Sequence, residues 1–443
     1  MAEDTSPLDP QRRPLHALLR AHLPRFLAAH ALPGFVREEL LDYLDCGLVS
    51  RGCAHYRCDR CGLERVTALS CKGRGFCPRC IGRDMTQTSR DLVQRVLPHV
   101  RIRHWALSID FAHRVSLAFD HERALAVWRI AQREIDRRYR RLARRAGVVA
   151  PRGGSLAVIH RASSDLKLNL HFHGLFLDGA YDAAGRFHSI PAPTAAEVEA
   201  ILTRILARVD RLFERREAAE LDEEDTALAQ TYAASTRGDR HAPEDDDPHD
   251  FGVQLPTRRK ARIRQWDLDA ETAVGAHDRA RLEHLCRYLL RPPLALDRLH
   301  VLDDGRVCLE LKRPWSDRTT HVTMTPDAFI GRLASLVPRP RANTTLYFGV
   351  LSAHAKNRDA IVPKPRAERP TRPDSSWASL MRHAFGLDVR KCPRCPGTVR
   401  FIAVLHDRKE VRRLLEHLAL WSEPLPLPPA RGPPEEHQTF DFP

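Results

Sequence analysis

The sequence predicts a mixed α and β chain organised around a metal-binding cysteine module. Three observations carry that expectation. Two strand-period segments, SLAVIHR (155–161) and LNLHFHGLFL (168–177), read as a hairpin. Helix-period segments flank them at 14–45, 83–98, 118–146 and 277–291. Two Cys-x2-Cys pairs, fifteen residues apart, precede the hairpin.

Residues 1–45 form a helical N-terminal region, with Leu18, Leu19, Leu23, Phe26 and Leu27 at helical spacing. A zinc-binding segment covers 46–100, its last helix stopped by Pro98. The core runs from 101 to 357 and opens on RIRHWALSI (101–109), which alternates at period two. An arginine-rich helix follows at 118–146, its basic side chains facing either phosphate or solvent. The stretch 216–250, with LDEED and PEDDDPHD, reads as an acidic, flexible insertion. Residues 258–264 (RRKARIR) reverse that sign. A helix at 277–291 ends on Pro292-Pro293, and 299–312 is a hairpin turning at Asp304-Gly305. A Pro- and Arg-rich linker (358–376), a small unit with one Cys-x2-Cys (377–421) and a Pro-rich disordered tail (422–443) complete the chain.

The 443 residues hold 71 Lys plus Arg against 57 Asp plus Glu, a net charge of +14. That balance points to a polyanionic partner, nucleic acid before an anionic membrane surface. No run of about 18 apolar residues occurs, so no membrane span is expected. The polar N-terminus lacks the apolar core of a signal peptide, which makes a cytoplasmic location the expectation.

Eleven cysteines in a reducing compartment favour metal binding over disulfides. Cys58, Cys61, Cys77 and Cys80 have the spacing of two knuckles closing on one structural Zn2+, with Cys71 as an alternative ligand. Cys46 and Cys53 read as buried thiols. Lys72, Arg74 and Arg79 lie among the ligands, either on DNA phosphate or on a solvated face. Cys392 and Cys395 stand alone: half a zinc site closed by His383 or His406, a redox pair, or a bare structural knuckle.

His171-Phe172-His173 carries the chemistry. Side chains alternate along a strand, so Phe172 enters the core and both imidazoles share the open face as metal ligands. Tyr288 lies late on a helix about 115 residues further on. A strand-borne His pair followed by a helical tyrosine is the constellation of single-strand DNA nickases. In such enzymes a tyrosine hydroxyl attacks phosphorus and a metal offsets charge on the phosphate oxygens. No GxxxxGK[ST] motif occurs, consistent with strand transfer without ATP, and no HExxH supports a zinc hydrolase.

The chain resembles the rolling-circle insertion-sequence transposases of the IS-ninety-one type, in the HUH endonuclease superfamily. The resemblance lies in SCKGRGFCPRC (70–80), LNLHFHGLFLDG (168–179), RYLLRPPLALDRL (287–299), DGRVCLELK (304–312), FGVLSAHAKNR (348–358), FGLDVRKCPRC (385–395) and PPARGPP (428–434). It implies an α+β fold: an N-terminal zinc ribbon with helices, then an antiparallel sheet with helices on one face and a central HxH strand. It also implies a Mg2+ or Mn2+ site at His171 and His173, a Tyr288 nucleophile and a 5′-phosphotyrosine intermediate. The partners implied are single-stranded DNA at the element ends and target DNA, with the protein nucleoid-associated when bound. Two-tyrosine relatives carry another tyrosine one turn earlier, where this chain has His284, so it resembles the single-tyrosine branch. His160 stands where the family more often has Gln and is a candidate third ligand, while His284 is a candidate proton acceptor for Tyr288. Lys356 and Arg358 are candidate phosphate contacts. The alternative reading is a catalytically decayed, zinc-containing DNA-binding protein.

Overall fold

A computed structural model describes residues 14–214, 223–236, 259–315, 317–363 and 390–420. The N-terminal part holds α1 (Pro14–Ala29), α2 (Gly34–Asp45), β1 (Cys53–Cys58), β2 (Glu64–Ala68) and α3 (Pro78–Asp91). The core begins with β3 (Ile102–Ser108), α4 (Phe111–Phe119), α5 (His121–Arg145), β4 (Gly154–Ala162) and β5 (Leu168–Leu177). It continues through β6 (Gly179–Tyr181), β7 (Phe187–Ser189), α6 (Ala195–Glu214), α7 (Glu223–Thr236), β8 (Lys260–Ile263), β9 (Trp266–Asp269) and β10 (Ala273–Val274). Then come α8 (Arg279–Leu290), β11 (Leu299–Val301), β12 (Val307–Glu310), β13 (His321–Met324), α9 (Pro326–Leu336), β14 (Thr345–Gly349) and the short α10 (Arg358–Ile361). The described chain closes with β15 (Val399–Leu405) and α11 (Arg408–His417). The class is α+β, as the sequence predicts.

The central sheet runs β14-β4-β5-β3-β9-β8, with β10 also on β3, and every pairing is antiparallel. The HxH strand β5 lies between β4 and β3, inside the sheet. Strand parity divides its residues. Phe172 and Phe176 face α5 and α6 in one apolar core with Trp105, Leu107 and Trp128. Leu175 and Leu177 face the opposite way and pack with Leu156, Val158 and α8. Both faces therefore carry helices, a refinement of the one-sided arrangement expected. Double coverage explains why all ten positions of β5 are buried. Gly174 allows the close approach of α5, because a Cβ there would sit 2.7 Å from the Trp128 ring.

Two expectations are corrected. The acidic stretch at 216–250 is not wholly a flexible insertion, because it contains α7, whose Leu228 and Tyr232 are buried beside Ala118 and Leu168. The C-terminal unit is not separate either. Its β15 pairs with β1 over six register positions, so the β15-β1-β2 sheet joins both ends of the chain. The 364–376 part of the expected linker and the tail from 422 lie outside the described residues. Among the described residues, no helix is long and apolar enough to cross a membrane.

One buried ion pair ties the sheet to α5. Asp178, just past β5, is fully buried and accepts from Arg103 Nε (3.1 Å) and Nη2 (2.9 Å) and from Tyr139 Oη (2.9 Å). Removing the carboxylate would leave the Arg103 charge buried and unmatched, which costs roughly 3–5 kcal/mol. Asp178→Ala should therefore lower the urea midpoint by that equivalent at unchanged m-value. A loss below about 1 kcal/mol would show that the pair is not needed.

Candidate active site

The register of β4 against β5 builds a cluster of three histidines. His160 lies directly opposite His171, and Val158 opposite His173, so His160, His171 and His173 share one face. One ring nitrogen from each lies within 4.8 Å of the other two. Ring centroids are separated by 5.0 Å (His160–His171), 4.4 Å (His160–His173) and 4.9 Å (His171–His173). The expected open face is in fact covered: His171 is 2% and His173 1% exposed, because α8 packs over them.

Hydrogen bonds set which nitrogens present lone pairs. His171 Nδ1 meets the Asn169 carbonyl oxygen at 2.9 Å. A carbonyl only accepts, so Nδ1 carries the proton and Nε2 the lone pair. By the same logic His160 Nε2, 2.5 Å from Leu289 O, is protonated and Nδ1 bears the lone pair. His173 Nδ1 lies 2.9 Å from His104 Nε2. Its own Nε2 is buried and finds no hydrogen-bond partner among the described residues, as expected of a nitrogen reserved for a ligand. Burial first, then the neighbouring His160, His171, His104 and Arg291, hold the His173 pKa well below the usual imidazole range. A neutral imidazole is the form that binds metal.

Helix α8 brings the tyrosine. Asp278 caps its N-terminus by accepting from Arg281 N at 3.0 Å. Leu282, Leu285, Cys286 and Leu289 recur on one face and enter the apolar cluster with Leu156 and Val158. Arg291 turns extended before Pro292 and ends the helix. Tyr288, 8% exposed, then lies with its ring 6.3 Å from the His173 ring. The Arg291 guanidinium sits 4.1 Å from the Tyr288 ring centroid, within cation–π range. His284, one turn earlier, is exposed.

A cleft of about 300 Å3 opens beside the cluster, between α3, β4 and the segment following α8. His160 lines it, with the basic residues Arg74, Arg161, Arg291 and Lys312. Of the expected phosphate contacts, Arg74 lies here, whereas Lys72, Arg79, Lys356 and Arg358 do not. Lys72 and Lys356 are exposed. The arginine-rich α5 packs on the far side of the sheet. There Arg138 and Arg141 pair with Glu197 (2.9 and 3.9 Å), Arg137 with Glu134 (3.6 Å) and Arg140 with Asp136 (2.7 Å). In β8, Arg262 pairs with Asp267 at 2.5 Å. Much of the positive charge in these two segments is thus matched within the fold. The sequence reading missed His104, Arg161, Arg291 and Lys312. His104 alone carried a legible signal, since strand parity places it on the histidine face.

The cysteines correct the expected zinc set. Cys58 and Cys61 do not converge with Cys77 and Cys80. Cys77 and Cys80 meet Cys46 and Cys71, and Cys58 and Cys61 meet Cys392 and Cys395. The physical reason is that β1 and β2 carry the first knuckle away as a hairpin, whereas the second opens α3 beside the end of α2. Cys46 Sγ lies 3.7 Å from Cys77 Sγ and 3.8 Å from Cys80 Sγ, and Cys71 Sγ 3.6 Å from Cys80 Sγ. A tetrahedron of thiolates about 2.3 Å from zinc has edges of about 3.8 Å, so this spacing fits.

Comparison with known families now bears on this geometry. Residues 154–359 match a family model described as "Putative transposase", and residues 18–109 match one described as "Transposase zinc-binding domain". No curated protein and no solved structure matches the chain. The first range contains His160, His171, His173 and Tyr288, and the second contains Cys46, Cys71, Cys77 and Cys80. The cysteine clusters and the zinc-binding domain agree in pointing to structural Zn2+. Taken together, these matches show that the chain belongs to the transposases of the IS-ninety-one type.

Proposed function

We propose that the protein is an HUH-type transposase that nicks and rejoins single-stranded DNA through Tyr288, moving an insertion sequence by a rolling-circle-like route. The observation that carries this reading is the Tyr288 ring, 6.3 Å from His173 in a three-imidazole cluster. His160, His171 and His173 would hold a divalent cation, Mg2+ or Mn2+. When bound, the cation offsets charge on the non-bridging phosphate oxygens and orients the scissile bond. Tyr288 Oη forms a bond to phosphorus as the bond from phosphorus to the 3′ oxygen breaks. The 5′ phosphate is left on tyrosine, and the phenolic proton is lost as the 3′ oxygen gains one. The phosphodiester energy is retained, so the reverse attack rejoins a strand without ATP.

Arg74, Arg291 and Lys312 supply cationic groups for the phosphates of a single strand in the cleft, whereas the Arg161 guanidinium donates to Ala118 O and Ser335 O and lies over the Tyr232 ring. Arg291 also sits over Tyr288, which links phosphate contact to the position of the nucleophile. His104 is a positioning residue that fixes the ring orientation of His173. Cys46, Cys71, Cys77 and Cys80 hold the zinc of the N-terminal domain. That domain borders the cleft through Gly73, Arg74 and α3.

Incubation with a labelled hairpin oligonucleotide and Mn2+ should give a covalent protein–DNA adduct. Tyr288→Phe should abolish the adduct while leaving DNA binding intact. Binding by the wild type without any adduct would instead identify a catalytically decayed DNA-binding protein. Imidazole suits Mn2+ better than Mg2+, which prefers oxygen donors. The wild type should therefore work better in Mn2+, and His160→Gln should shift the preference towards Mg2+. An unchanged Mg2+/Mn2+ rate ratio would remove His160 from the ligand set. His104→Ala should weaken Mn2+ binding by about 10–100-fold in a direct binding titration. Unaltered affinity would show that the contact with His173 is incidental.

A further inference from the structure

Cys392 and Cys395 lie outside both family-matched ranges, yet they meet Cys58 and Cys61 across a sequence separation of more than 300 residues. Cys58 Sγ is 3.6 Å from Cys395 Sγ, Cys61 Sγ is 3.6 Å from Cys392 Sγ, and all four sulfurs lie within 4.8 Å of one another. These contacts are far longer than a disulfide bond of about 2.05 Å. They match the edge of about 3.8 Å expected for four thiolates around zinc.

The surrounding backbone has the form of a zinc knuckle. Arg394 N and Gly397 N donate to Cys392 Sγ (3.4 Å) and Cys395 Sγ (3.3 Å). Such N–H groups stabilise thiolate charge. Gly397 packs so close that a Cβ there would sit 2.8 Å from Cys58 Sγ. Thr398 and Asp59 lock the two turns together, Thr398 N donating to Asp59 Oδ1 at 2.8 Å and Asp59 N to Thr398 O at 3.0 Å. Among the described residues, the buried members around the four sulfurs are Cys58, Cys392 and Val399, whereas a second cluster of Cys53, Val411 and Leu415 packs α11 against the other end of β1.

We infer that Cys58, Cys61, Cys392 and Cys395 form a second structural Zn2+ site, which fastens the C-terminal β15–α11 segment onto the N-terminal zinc module. The zinc-binding domain is then discontinuous, completed by residues from the far end of the chain. The metal restrains the β1–β15 edge, where Cys58 pairs with Val399 in register. Soft thiolates in a closed tetrahedral set select zinc and leave no position for water.

Zinc released from the full-length protein by a mercurial thiol reagent counts thiolate-held metal and ignores any ion on the histidines. The wild type should release two per chain and Cys392→Ser/Cys395→Ser one. Amides of β15 should exchange hydrogen faster in the variant while those of β5 stay protected. Cys392→His keeps a zinc-competent donor and should restore the second zinc, which separates ligation from misfolding. A wild type releasing one zinc and a double serine variant releasing none would keep this site and remove the Cys46 site. A double variant that releases as much zinc as the wild type would overturn the inference.

Discussion

The arrangement depends on the register in which β4 pairs with β5. Because His160 stands opposite His171, three imidazoles project from two strands onto one face of the sheet. A slip of one residue in β4 would send His160 to the α5 side and bring Ile159, now in the apolar core, to the histidine face. The apolar alternation of both strands opposes that slip, since Ala157 and Ile159 belong to one core and Leu156 and Val158 to the other.

Burial then tunes what register assembles. Helix α8 covers the histidines with its leucine face, excludes water and delivers Tyr288 in the same step. The His160 bond to Leu289 O ties the last turn of that helix to β4. A dry pocket keeps His173 neutral, while the cationic groups stay at its edge in the cleft. The fold therefore separates the histidine face from the basic wall of the cleft, and Arg291 belongs to that wall while lying over the Tyr288 ring.

Much of this was legible in the sequence because it follows local rules. Period-two patterning gave the hairpin, helical spacing gave α8, and Pro292 marked its end. The parity of β5 placed His171 and His173 together. What escaped was non-local. Cysteine spacing suggests knuckles but not their partners, and the pairing of Cys58 with Cys395 depends on β15 joining β1. Arginine density in α5 suggested phosphate binding, whereas Glu197 of α6 pairs with two of those arginines, Arg138 and Arg141, and Glu134 and Asp136 of α5 itself pair with Arg137 and Arg140. The acidic character of 216–250 hid the four-residue repeat of Leu228 and Tyr232 that docks α7. Packing partners decided each case, and composition cannot name them.

The segment that carries Cys71, Cys77 and Cys80 meets the central sheet at the cleft. Gly73, Arg74 and α3 form one wall of the cleft and β4 another, so ordering the cysteine module shapes the path to the histidines. The proposed function stands on the three imidazoles forming one metal site beside Tyr288. Anomalous diffraction from Mn2+-soaked crystals tests it most directly. A manganese peak bounded by His160, His171 and His173 is expected, lost in His171→Ala/His173→Ala. Manganese density elsewhere, with none among these imidazoles, would contradict it.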